Sequence, residues 1–306
     1  MTIITNNNGQ TYQTAGTGTT IGAVLAGGLA NNAIVNLNAR AVSPQIMKKL
    51  GKQSSELNET QVAEMQKGIK DAFEKSGLKQ KGVEILDVRE MKDENELTPA
   101  SKKLEEAINK KFEKFIPKKI RESEAFKTTL DLIKNNLQST IENGKNAAYF
   151  EEGNKIAINT EKLGAAAFHE MGHALNMQSS KFWKVAQKAR PVALLSGVFG
   201  LTALFKRKKL EGEEPKNNFD KVTTFIKNNV GKLTVLSFIP LVAEELAASY
   251  KGEKLAKQVL SPELLKKVKN SNRLGASTYI LMASAVGLGA VVASKVRDAI
   301  AKPEEI

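Results

Sequence analysis

The sequence predicts a mostly α-helical protein with a small β-sheet and membrane-associated helices. Three observations point there. Apolar residues recur at helical spacing among lysines and glutamates over long stretches. Two short β-prone segments flank a polar turn at Glu151–Asn154. Three uncharged apolar runs fall in the C-terminal half. With 306 residues the chain suffices for one large domain or two small ones. By composition it divides into an uncharged, Gly-rich segment and linker over 1–55, a charged helical region with one strand over 56–145, a region of apolar helices around a histidine motif over 146–296, and a tail over 297–306.

Residues 1–13 are expected to be weakly structured. No basic stretch precedes an apolar core in Met1–Thr20, so no signal peptide is expected. Ala15–Leu37 is small and apolar, with Ile21, Val24, Leu25, Leu29, Ile34 and Val35 among glycines. It reads as a span or as a Gly-rich buried helix, since Asn31, Asn32 and Asn36 are costly in a lone span. Arg40–Ser55 reads as a basic linker. Asn58 with Gln61 resembles a capping box ahead of a helix carrying Val62, Met65, Ile69 and Phe73, which stops near Gly77. Val83–Val88 is a strand. Thr98 before Pro99 starts a helix whose stripe is Leu104, Ile108, Phe112 and Ile116, ended by Pro117. A second stripe holds Phe126, Leu130, Ile133, Leu137 and Ile141 and ends near Gly144. Both are core faces, with lysines and glutamates on the solvated side.

Ala147–Phe150 and Lys155–Asn159 then form a β-hairpin. Its edge strand either offers main-chain hydrogen bonds to an extended peptide or merely covers the core. A helix follows over about Thr160–Lys188. Lys206–Asn218 is a charged loop and Phe219–Val230 a small amphipathic helix.

Composition narrows the chemistry. Cysteine is absent, which excludes disulfides and thiolate-bound metal. The net charge is +13, spread over amphipathic segments with few aromatics, so no nucleic acid is expected as partner. Met1–Ala39 carries no charge. Leu274–Ser294 is a 21-residue uncharged run, the length of a membrane-spanning helix. Pro191–Phe205 is a 15-residue run, short for a span on its own, and precedes Lys206-Arg207-Lys208-Lys209. Leu233–Ala243 is apolar and then meets Glu244 and Glu245. Together the runs predict an association with the lipid bilayer.

The chain has two histidines, and both lie in His169-Glu170-Met171-Gly172-His173. On a helix, positions i and i+4 share a face. Two imidazoles so placed can bind one zinc ion, with the intervening Glu in reach of a metal-bound water. The bland alternative is a helix with two exposed histidines. A catalytic zinc takes three protein ligands, and without Cys or a third His the third must be Asp or Glu. Glu244 and Glu245 stand in the otherwise apolar Pro240–Tyr250, where carboxylates are costly unless paired or metal-bound. Either they ligate metal or they cap the apolar run at an interface.

His169-Glu170-Met171-Gly172-His173-Ala174, with a downstream E-x-x-A-[DS] pattern, resembles the gluzincin metallopeptidases, including the membrane-bound Ste24/HtpX group. The closer likeness is to the YugP-type neutral zinc metallopeptidases of bacterial membranes. Arg190-Pro191, Pro240 with Glu245-Leu246-Ala247-Ala248-Ser249, and Thr278-Tyr279 resemble segments of that family, so the likeness covers roughly 147–294. The resemblance implies a zincin-like α+β core over 146–296 with Zn2+ on His169, His173 and Glu245. Glu170 is the implied general base, and Ser249 a partner hydrogen-bonded to a ligand histidine. Tyr279 is a candidate oxyanion donor beside Tyr250 and Arg273; Tyr279 equally suits an interfacial anchor and Arg273 a helix-end charge. Asn176 departs from the family, which often has Gln there.

The expected function is therefore a membrane-associated zinc-dependent endopeptidase of the bacterial cell membrane, its site on the cytosolic side, acting on a peptide or membrane-protein substrate. The alternatives are a catalytically inactive metal-binding membrane scaffold and a basic helical protein that binds membrane or a partner.

Overall fold

The computed structural model describes residues 1–88, 99–115 and 124–306. The expected helix start at Thr98 and stop at Ile116 and Pro117 lie outside the described residues, as do the side chains of Phe112, Phe126, Leu130 and Ile133. Among the described residues the protein is mostly α with two small sheets, as the sequence predicts. In chain order the elements are β1 (Ile3–Thr5), β2 (Thr11–Gln13), α1 (Thr17–Leu37), α2 (Ser43–Ser55), α3 (Glu59–Lys75), β3 (Glu84–Asp87), α4 (Pro99–Phe115) and α5 (Glu124–Glu142). There follow β4 (Ala148–Phe150), β5 (Lys155–Ile158), α6 (Thr160–Ser179), α7 (Lys181–Lys188), α8 (Leu195–Phe205), α9 (Asn218–Ser237), α10 (Ile239–Ala256), α11 (Pro262–Ile300) and β6 (Glu304–Glu305).

Two compact units share these elements. One comprises Met1–Pro44, Lys188–Val242 and Thr278–Ile306; the other Gln45–Gln187 and Ala243–Ser277. Each draws on separated segments, so the units run across the composition regions rather than along them.

The second unit is built on the sheet β3-β5-β4. Its central strand β5 pairs parallel with β3 and antiparallel with β4. The hairpin turn closes at Asn154, which adopts φ 50°, and its side-chain carbonyl accepts hydrogen bonds from Tyr149 Oη at 2.9 Å and Gln178 Nε2 at 3.1 Å. Successive side chains of β5 point to opposite faces, and helices cover both. Ile156 and Ile158 join Met65 and Ile69 of α3, Phe168 and Met171 of α6, and Leu264 and Val268 of α11. Ala157 faces the other way, with Phe150, Leu86, Leu104, Ile108 and Ile141. Near-continuous apolar strands are what a sheet buried on both faces needs.

Local chemistry sets the helix starts. Asn58 Oδ1 accepts from Gln61 N at 2.9 Å while Asn58 N donates to Gln61 Oε1 at 3.1 Å, the reciprocal cap read from the sequence. Asn159 caps α6 by accepting from the amides of Glu161 and Lys162. The helix expected over Thr160–Lys188 is broken. Ser180 takes extended backbone, and its Oγ accepts from Trp183 N at 3.2 Å, so it ends α6 and caps α7. Arg40–Ser55 is a helix rather than a linker. A π-helical turn over Asn38–Val42 carries α1 into it ahead of Pro44, and Ile46, Met47 and Leu50 repeat at helical spacing.

The first unit packs α1, α8, α9 and the C-terminal part of α11 side by side. Ala203, Val230 and Ala290 form a core on which Phe199 and Val291 close. At Gly27 the backbones nearly touch, since a Cβ there would lie 2.6 Å from Ala293 O and 2.7 Å from Leu204 Cδ2. Residues 1–13 are ordered, contrary to expectation. β1 and β2 form a hairpin, and β2 also pairs with β6 through Tyr12↔Glu305 and Gln13↔Glu304. Asn6 Oδ1 holds the turn by accepting from the amides of Asn8 and Gln10, both at 3.0 Å. The helix expected over Phe219–Val230 runs further, to Ser237, with a kink at Asn229.

Among the described residues three helical stretches, Thr17–Ser55, Lys181–Phe205 and Pro262–Ile300, are long and apolar enough to cross a membrane. The Pro191–Phe205 run, short alone, is the end of the second of these. In the first unit Leu25, Leu29, Leu194, Val198, Leu201, Phe205, Ile280 and Leu288 are exposed. A surface in water rarely shows so many large apolar side chains together.

Candidate metal centre

Two helices of the second unit carry the centre. His169 and His173 lie one turn apart on α6, whose opposite face packs Phe168, Met171 and Ala174 into the core. Glu244, Glu245 and Ser249 lie on α10 and are buried. The helices cross backbone to backbone. A Cβ on Gly172 would run into the Ala248 carbonyl, and one on Gly252 into the Phe168 carbonyl. Only glycine at both positions lets the histidines and carboxylates approach this closely.

Three potential ligand atoms converge. His169 Nε2 lies 3.1 Å from Glu245 Oε2, His173 Nε2 lies 3.5 Å from the same oxygen, and the two Nε2 atoms are 2.9 Å apart. Ligands of a tetrahedral zinc with bonds of about 2.0–2.1 Å sit roughly 3.3 Å from one another, so the donor set fits. Glu170 is also buried, and its carboxylate belongs to a cluster with both histidines whose ligand atoms lie within 4.8 Å of one another.

The outward ring nitrogens are held as well. His173 Nδ1 lies 2.8 Å from Glu244 Oε1, and Asn176 Nδ2 donates to the same carboxylate oxygen at 2.9 Å. A carboxylate only accepts, so His173 carries its proton on Nδ1 and turns the Nε2 lone pair to the centre. His169 Nδ1 lies 3.1 Å from Ser249 Oγ, and Asn272 Nδ2 donates to the Ser249 carbonyl at 3.1 Å.

Such an array demands a positive charge. Burial pulls the His173 imidazole down. The Glu245 charge, hydrogen bonds to Glu244 and Glu245, and the Glu170 charge outweigh it and push the group up to about 10. Without metal, a proton occupies the position where lone pairs and carboxylate meet.

The expected residues His169, Glu170, His173, Glu245 and Ser249 thus come together. The sequence left Glu244 between ligand and cap; the structure places it on His173 Nδ1. Asn176 was noted only as a departure, and its signal was a polar side chain three residues after a ligand histidine. Tyr250 is 70% exposed and Arg273 is exposed, while Tyr279 belongs to the first unit's part of α11. Strand β4 lies at the edge of its sheet.

No family model matches the chain, and neither a curated protein nor a solved structure matches it.

Proposed function

We propose that the protein is a membrane-associated zinc-dependent endopeptidase with a zincin-like core. The observation that carries this reading is the convergence of His169 Nε2, His173 Nε2 and Glu245 Oε2 at zinc-ligand spacing, with the Glu170 carboxylate beside them. The resemblance of the two motifs to the YugP-type metallopeptidases supports it.

His169, His173 and Glu245 would hold the ion, which when bound supplies Lewis acidity and a water of lowered pKa. Glu244 and Ser249 keep the imidazoles turned inward, and Asn176 holds Glu244 in place. Glu170 takes the proton from the attacking water as the new C–O bond forms. As the amide C–N bond breaks, Glu170 returns that proton to the leaving nitrogen. The three membrane-length helices and the exposed apolar side chains of the first unit favour membrane proteins, or peptides at the bilayer surface, as substrates.

Zinc content per chain in detergent-purified protein tests the ligand set. Wild type should hold one zinc, and His169→Ala and Glu245→Ala should lose it. Glu244→Ala should retain a site weakened about 10–100-fold, the usual cost of removing an orienting partner. Equal zinc content in all four would remove the site and leave a basic membrane-binding protein as the account.

Zinc binding should also depend steeply on pH. Entry of the ion must displace the His173 proton, so the apparent affinity should rise about tenfold per pH unit over the range below 10. The metal-free protein should behave oppositely. Its raised imidazole contributes stability in full below the ordinary value of about 6.5, and that contribution fades as pH climbs toward about 10. Calorimetric melts of chelator-treated protein between pH 6 and 10 (roughly the range spanned) check this; a Tm that climbs with pH would contradict it.

A further inference from the structure

One end of the helix bundle in the first unit is crowded with cations. The C-terminal end of α8, the start of α9 and the C-terminal end of α11 meet there. Lys206 pairs with Asp220, and Lys227 Nζ donates to Ala203 O at 2.8 Å and to Asp298 Oδ2 at 2.8 Å. Arg207 and Lys209 share Glu213. Asp298 is more heavily shared, accepting also from Arg297 Nη1 at 3.2 Å and Lys208 N at 3.1 Å. Two buried cations, Lys227 and Arg297, thus lean on one carboxylate.

Beside them opens a cavity of about 540 Å³, lined by Arg207, Lys208, Lys209, Arg297 and Lys302 against the acids Glu211 and Asp298. Arg297 is 5% exposed, and its Nε is buried with no hydrogen-bond partner. Five cations against two acids leave the lining net positive, at the ends of helices long and apolar enough to cross a membrane.

We propose that this cavity binds a phosphate group, supplied by the headgroup of an anionic lipid. Arg207, Lys208, Lys209, Arg297 and Lys302 line it and supply the cationic field that a phosphate would neutralise. The inference rests on the membrane part of the reading above and is independent of the metal centre.

Detergent-purified protein is titrated with phosphatidylglycerol, phosphatidylcholine and soluble glycerol 1-phosphate, with bound lipid read by native mass spectrometry and zinc content measured alongside. Phosphatidylglycerol should be retained about tenfold over phosphatidylcholine. The double variant Lys208→Gln/Lys302→Gln, altered only at exposed positions, should reduce the preference severalfold, and Arg297→Gln should abolish it, zinc content staying unchanged in both. Equal retention of the two lipids, or a preference untouched by the variants, overturns the proposal while leaving the endopeptidase reading in place. If the protein stays in solution without detergent, the spanning reading fails by itself. Glycerol 1-phosphate binding lost in Arg297→Gln would then sustain the phosphate site, and its absence would overturn it.

Discussion

Glu170→Gln should keep one zinc per chain and lose peptide hydrolysis by about 10²–10⁴-fold, the usual worth of a positioned general base. The substitution preserves shape and buried volume but replaces a proton acceptor with an amide. His169, His173 and Glu245 already bring together three donor atoms, so the ion does not need Glu170. Zinc content and turnover of a quenched peptide should therefore separate in this variant. Turnover at the wild-type rate would remove Glu170 from the chemistry. Loss of zinc together with turnover would instead make it a ligand, with the metal held on α6 alone.

Gly172→Ala is expected to be nearly as damaging by a different route. The added methyl has nowhere to go, because the atoms opposite are the Ala248 backbone rather than a side chain that can swing aside. Overpacking of a core ordinarily costs about 1–3 kcal/mol, and a clash between two backbones belongs at the top of that range or above it. The helices would separate at the level of the histidines, so zinc affinity and Tm should fall together. Gly22→Ala is the control, since a Cβ at Gly22 meets nothing within 4 Å. Equal behaviour of the two variants would show that the crossing does not govern the site.

Much of this was legible in the chain because the signals were local. The reciprocal cap of Asn58 and Gln61, the turn at Glu151–Asn154, and the i, i+4 histidines each depend on a handful of neighbouring residues. Glu244 and Glu245 could be flagged because acids in an apolar helix are costly without a partner, and the choice of Glu245 came from the family resemblance. Features made by distant segments were not legible. The strands in residues 1–13 depend on Glu304 and Glu305 at the other end of the chain, so Asn-, Thr- and Gln-rich composition suggested little order. The partnership of Glu244 with His173 requires the crossing angle of two helices, which no spacing rule supplies. Ser180 illustrates the competition between propensity and capping, since one side-chain hydrogen bond ended a helix that composition would have continued.

The interleaving of the two units also bears on how the protein is made. Helix α1 is synthesised well before the segment that carries the Ala293 carbonyl against which Gly27 packs. Contacts that far apart in the chain form slowly. Until α11 arrives, α1 must wait with Asn31 lacking the Gly289 backbone it lies against in the finished bundle. A chain stalled before residue 278 would have every residue of the second unit but lack one wall of the first. The residues of the candidate metal centre are thus all synthesised before residues 278–306, and they can come together while the bundle is still open.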